Sequence, residues 1–189
     1  MKLLELLPIG EIEAGLLKEL GPAVEGTLHV RCEILPQALD PEPTLHGERH
    51  QYHSSEILRL MQDYVSANSW RVLGVAGVDL YIPILTFVFG EAQMGGPCAL
   101  VSAHRLRQEF YGLPEDKGLL GERLLKEAIH EIGHTLDLTH CGDYRCAMAP
   151  SHAVEWIDLK GAELCPDCEF RAGAAHKSIL KDRPGYPFG

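Results

Sequence analysis

Apolar residues return every four positions between Leu119 and Leu136, at Leu120, Leu124, Ala128, Ile132 and Leu136, with Leu125 and Ile129 beside them. Such a stripe dictates a helix with one face in a core. The same helix carries His130 and His134. Residues four apart leave a helix from one face, so the two imidazoles can meet at a single metal ion. The next histidine, His140, lies about 600° further around a continuous helix and points elsewhere unless the helix stops and the chain turns back. Asp137 stands where that turn has to fall. Aspartate is among the few residues other than glycine that tolerate the left-handed conformation of a helix end.

Three neutral imidazoles leave a tetrahedral zinc ion one open position for water, the arrangement of catalytic rather than structural zinc sites. Glu131 follows the first histidine directly. A carboxylate beside the coordination shell, but outside it, can take a proton from water on the metal and later pass it to a leaving amine. The run His130-Glu131-Ile132-Gly133-His134 thus reads as H-E-x-x-H, a pattern of moderate specificity alone that His140 sharpens.

The six cysteines are unevenly placed: Cys32 and Cys98 stand apart, whereas Cys141, Cys146, Cys165 and Cys168 crowd into the C-terminal quarter. The opening MKLLELLPIGEIEAG has its apolar run broken by Glu5, Pro8 and Glu11, with no small-residue cleavage site behind it. A secretion signal is therefore not expected, and the chain reads as cytoplasmic. There, clustered thiols favour metal over disulfides. The pairs C-x4-C and C-x2-C, separated by residues 147–164, have the spacing of a four-cysteine zinc site, which is closed and structural. Two zinc ions per chain are expected. Cys32 and Cys98 read as small buried apolar residues.

Composition narrows the partners. With 46% hydrophobic and 23% charged residues the composition disfavours disorder and membrane embedding, and no apolar run approaches the ~18 residues needed to cross a bilayer. A net charge of -10 disfavours binding to nucleic acid through its phosphates. At 189 residues the chain fits one domain.

Along the chain, periodicity predicts a strand at Leu3–Leu7, a helix from Glu11 to Leu20 ended by Gly21-Pro22, and a strand from Thr27 to Ile34. A helix capped by Ser54 or Ser55 extends to about Ala67, and strands are expected near Val72–Val75, Ile84–Phe89 and Cys98–Ala103, with the EAQMGGP loop reversing the chain between the last two. A short helix around Ala153–Leu159 and a loosely patterned tail, KDRPGYPFG, follow the zinc helix.

From His130 to Cys168 the sequence resembles the metzincin signature in its archaemetzincin form. The third histidine is followed at once by a cysteine, His140-Cys141, then by Cys146-Ala147-Met148 and finally by Cys165-Pro166-Asp167-Cys168, while VDLYIPILTFVFGEA resembles the family's strand region. The resemblance implies an α/β metzincin-like zincin domain with a mixed twisted sheet, two backing helices, the active-site helix and a small zinc-stabilised C-terminal lobe. The division expected is 1–139 and 140–189 within one domain spanning 1–189, with the cleft between the lobes and Ile84–Phe89 as the edge strand that receives substrate. Met148 then forms the apolar floor beneath the histidines. The sequence departs from the family at Asp137, where glycine is usual, and at Pro150, so the tyrosine that some metzincins use as an extra ligand is absent.

Asp158 and Lys160 match polar family positions but read as an exposed charged turn. His29, His46, His50, His53, His104, His152 and His176 read as surface or satisfied core residues, His152 being nearest the site. The expectation is a monomeric zinc metallopeptidase acting on peptides or proteins. The rival is a non-catalytic zinc protein that binds peptides or partners, its site distorted at Asp137. The two differ in whether Glu131→Ala abolishes hydrolysis while zinc stays bound.

Overall fold

The computed structural model describes residues 2–181. Its strands are β1 (Leu3–Ile9), β2 (Arg31–Ile34), β3 (Leu45–His46), β4 (Gln51–His53), β5 (Arg71–Ala76), β6 (Leu80–Tyr81), β7 (Gly90–Ala92) and β8 (Cys98–Ser102), and its α-helices are α1 (Ala14–Leu28), α2 (Ser54–Leu60), α3 (Lys117–Thr135), α4 (Val154–Leu159) and α5 (Pro166–Lys181). A five-stranded sheet runs in the order β2-β1-β5-β8-β7 and a small three-stranded sheet in the order β3-β4-β6. In the large sheet only β7 is antiparallel to its neighbour.

Strand alternation sends successive side chains into two cores. Leu4 and Leu6 of β1, Leu73 and Val75 of β5, and Ala99 and Val101 of β8 meet α1 and α3 on one face. Leu7 and Ile9, Val72 and Ala76, and Cys98 and Leu100 meet Ile57, Leu58 and Met61 on the other. The central strands read as continuous apolar runs because both faces are covered. A third, small cluster joins Leu136, Leu138, Cys146, Met148 and Cys168.

Several boundaries differ from the sequence reading. Helix α1 runs through Gly21-Pro22 to Leu28, because Leu17, Leu20, Gly21 and Val24 continue its buried face and packing outweighs the hydrogen bond lost at Pro22. It takes Thr27 and Leu28 from the expected strand, which begins at Arg31. The cap of α2 is the His53 side chain, accepting from Glu56 N at 3.3 Å, not Ser54 or Ser55, and a 3-10 turn replaces the end of that helix.

Residues Ile84–Phe89 do not form a strand. Arg49 donates to the carbonyls of Leu85 (2.8 Å) and Thr86 (3.1 Å), Gln51 donates to Thr86 O (2.9 Å), and Ile84 is 86% exposed. The edge position expected for that segment belongs to Gly90–Ala92. The short helix expected at Ala153–Leu159 is α4, whereas α5 had no counterpart in the sequence reading. The tail at 182–189 and the side chain of His176 lie outside the described residues.

Candidate active site

Helix α3 starts on Asp116, whose carboxylate accepts from Leu119 N (2.9 Å), and buries a face that includes His130 and Glu131. Its end is a Schellman motif. Asp137 N donates to His134 O (3.0 Å), Leu138 N donates to Gly133 O (3.1 Å), and Asp137 takes φ 61° in the left-handed region. Arg71 supports the last turn, donating to Thr135 O at 2.9 Å and Thr135 Oγ1 at 2.8 Å. Among the described residues the Asp137 carboxylate accepts no hydrogen bond; it rests against Gly95.

The turn brings the His140 ring within 5.3 Å of His130 and 5.1 Å of His134, centroid to centroid. His130 Nδ1 lies 2.8 Å from Ala147 O and His134 Nδ1 lies 2.7 Å from Leu138 O. A carbonyl can only accept, so each Nδ1 carries the proton and each Nε2 presents a lone pair. Those two Nε2 atoms are 3.1 Å apart. Facing lone pairs repel unless a cation lies between them, and two imidazoles on one tetrahedral zinc have nitrogens about 3.3 Å apart. The donor set fits zinc. Burial lowers the pKa of all three histidines, for His130 well below its ordinary range, so they stay neutral.

The four cysteines Cys141, Cys146, Cys165 and Cys168 are also brought together as free thiols, their ligand atoms all within 4.8 Å of one another. Cys141 Sγ and Cys165 Sγ stand 3.8 Å apart, too far for a disulfide and matching the ~3.8 Å of two thiolates on one zinc. Amides of Met148 (3.4 Å) and Cys165 (3.2 Å) point at Cys146 Sγ. Cys141 N also donates to Met148 O at 2.9 Å, so the cysteine cluster fixes the turn carrying Met148.

Met148 is fully buried against Gly133, between the two helix histidines, where any Cβ would collide with its Sδ. Glu131 is buried beneath β7, and a Cβ on Gly90 would come within 2.7 Å of its Oε1. Burial first, and then the Glu127 carboxylate, hold the Glu131 carboxyl well above the usual carboxylate range. Leu85, Phe87, Phe89, Met94, Pro150 and His152 help to line a cleft of about 460 Å³ in which Glu131 and the three histidines lie. Its rim on the sheet side is β7 and the loop before it.

The sequence reading misses three contributors and misplaces a fourth. Gly133 and Gly90 permit the two close approaches; a glycine inside a long helix is itself the signal for the first. Arg71, in a strand otherwise apolar, gave a weaker sign. Lys160 is not part of an exposed turn: its side chain is completely buried against Glu127, whereas Asp158 is exposed in α4 and pairs with Arg123 (2.6 Å). Their partners come from α3, which local sequence does not disclose. His152 stays exposed, its ring 5.9 Å from Trp156.

This fold, with three histidines and a carboxylate in its cleft, is that of a zinc metallopeptidase. The model of peptidase family M54 matches residues 43–172, and the chain belongs to that family, the archaemetzincins. It is 44% identical to the archaemetzincin of Methanocaldococcus jannaschii over 161 residues, covering 85% of this chain and 87% of the relative. It is 36% identical to that of Pyrococcus furiosus over 176 residues, covering 86% and 88%. Solved archaemetzincins from Archaeoglobus fulgidus, in complex with malonate, and from Methanopyrus kandleri superpose with TM-scores of 0.77 and 0.79 at 32% and 31% identity. The first covers 89% of this chain and 99% of the relative, the second 93% and 96%. Among the described residues no helix is long and apolar enough to cross a membrane.

Proposed function

We propose that the chain hydrolyses peptide bonds at a zinc ion held by His130, His134 and His140, with Glu131 as general base, and that a second, structural zinc sits on Cys141, Cys146, Cys165 and Cys168. The observation that carries the reading is the pair of Nε2 atoms 3.1 Å apart, each ring's proton committed to a carbonyl on its far side. Zinc, when bound, supplies a Lewis acid that polarises the scissile carbonyl and makes water a nucleophile near neutral pH.

The chain's own residues do the rest. Glu131 takes the proton of the attacking water and delivers it to the leaving amine. Its burial beneath Gly90 fixes the carboxylate and raises its basicity, which suits a proton acceptor. The outer edge of β7 offers main-chain groups to an extended peptide, which would add as a further strand. Residues 1–139 and 140–189 then act as two lobes flanking the cleft. The rival reading rested on distortion at Asp137, yet the helix end there has both Schellman bonds.

A peptide-library digest read by mass spectrometry, with and without a chelator, tests the proposal. Cleavage that disappears with chelator and returns with zinc is expected. A zinc-replete protein that cleaves nothing in a diverse library would overturn it.

A further inference from the structure

Lys160 is the least expected residue of the site. Its Nζ lies 2.7 Å from Glu127 Oε1, 3.2 Å from Ala149 O and 3.5 Å from His130 Nδ1, with its side chain wholly enclosed and that of Glu127 4% exposed. The pair thus joins the zinc helix, one turn before His130, to the chain just after the buried Met148 and to the end of α4.

The chemistry of the three neighbours is unequal. Ala147 O accepts the Nδ1 proton of His130, which leaves Nε2 free for metal. An ammonium can only donate. If it closed on Nδ1, that nitrogen would have to give up its proton, the proton would move to Nε2, and the ring would present the wrong face to a cation. The observed distances keep the outcomes apart: Lys160 is drawn to Glu127 and Ala149 O, and His130 stays with Ala147 O.

We propose that Glu127 and Lys160 are a positioning pair for the histidine site, in which Glu127 holds the ammonium off His130 and cancels its charge, while Lys160 binds the turn carrying Met148 to α3. The inference rests on His130 being a zinc ligand. It separates the two members of one ion pair. Removing Glu127 alone leaves an uncompensated cation held by Ala149 O at 3.2 Å, with His130 Nδ1, at 3.5 Å, the next polar atom within its reach among the described residues. Removing both leaves neither the charge nor the competitor, and apolar replacement of a whole buried pair is often neutral for stability.

The test is zinc affinity at the histidine site, measured by competition with a chromogenic chelator on folded protein whose cysteine zinc is retained. Glu127→Met should weaken binding tenfold or more, as loss of groups that orient a metal ligand commonly does. Glu127→Met/Lys160→Met should return it to within about threefold of the parent. In the metal-free single variant, the imidazole 15N shifts of His130 should show the proton moved from Nδ1 to Nε2. If Glu127→Met does not fold, Glu127→Gln and Glu127→Gln/Lys160→Met are measured in its place, with the same ordering expected. Parental affinity in the single variant, or a double variant as weak as the single, overturns the inference. His130→Ala is the control: if it leaves the affinity unchanged, the reading of His130 as a ligand has failed rather than the role of the pair.

Discussion

Helix α3 contains two interior glycines that should respond to alanine with opposite signs. A Cβ at Gly121 meets nothing within 4 Å, whereas one at Gly133 collides with Met148 Sδ and comes within 3.1 Å of Met148 Cε and 3.5 Å of Leu138 Cδ1. Met148 is fully buried and anchored through Cys141 N, so it has nowhere to withdraw. Overpacking of this kind costs about 1–3 kcal/mol. The helix propensity gained on replacing glycine returns about 1 kcal/mol, leaving Gly133→Ala up to about 2 kcal/mol less stable than the parent. For a chain of this length that lowers Tm by up to about 8 °C. Gly121→Ala collects the propensity term alone and should raise Tm by about 2–4 °C. Urea unfolding of the zinc-loaded proteins measures both. The further variant Gly133→Ala/Met148→Ala should cost at least 1 kcal/mol less than the sum of the two single changes, because the collision is gone. If Gly133→Ala is as stable as Gly121→Ala, the packing of Met148 against the zinc helix is not as described.

Cys168→Ser should lower both zinc content and Tm, because the small cluster around Cys146, Met148 and Cys168 has little apolar area to hold it together without metal; unchanged melting would refute the structural role. Asp137→Gly should keep or improve zinc affinity, since Asp137 already sits in the left-handed region and its carboxylate orients no histidine; a tenfold loss in a chelator competition would count against this. In metal-free Glu131→Gln, stability should hold above pH 6.5 and fall below it. The unfolded histidines take up protons at their ordinary pKa of 6.5 while burial delays protonation of His130, His134 and His140 in the fold. The substitution removes the Glu131 carboxyl, whose raised pKa would act in the opposite sense with pH. Denaturation at a series of pH values reads the slope, and rising stability below pH 6.5 would contradict it.

What was legible in the sequence is what local spacing controls. The stripe of α3, the one-face placement of His130 and His134, the need for a turn at Asp137 and the grouping of the cysteines all follow from periodicity and ligand type. Where tertiary contacts decide, spacing misleads. Pro22 reads as a helix stop but lies inside α1, because residues on either side continue one buried face. Ile84–Phe89 has the composition of a strand, yet Arg49 and Gln51 from the β3–β4 region capture its carbonyls and the edge is built from the less apolar Gly90–Ala92. Lys160 reads as surface because its counter-charge, Glu127, is distant in sequence and on another helix.

The central claim is that Glu131 acts on substrate while the three histidines hold zinc, and Glu131→Gln separates the two most directly. Parent and variant are brought to equal zinc content, checked by elemental analysis, and their rates are compared on a peptide cut by the parent. The account predicts two zinc ions per chain in both proteins and a loss of at least a hundredfold in kcat for the variant, the low end of what a general base contributes. Parental turnover by a fully zinc-loaded Glu131→Gln protein would contradict it.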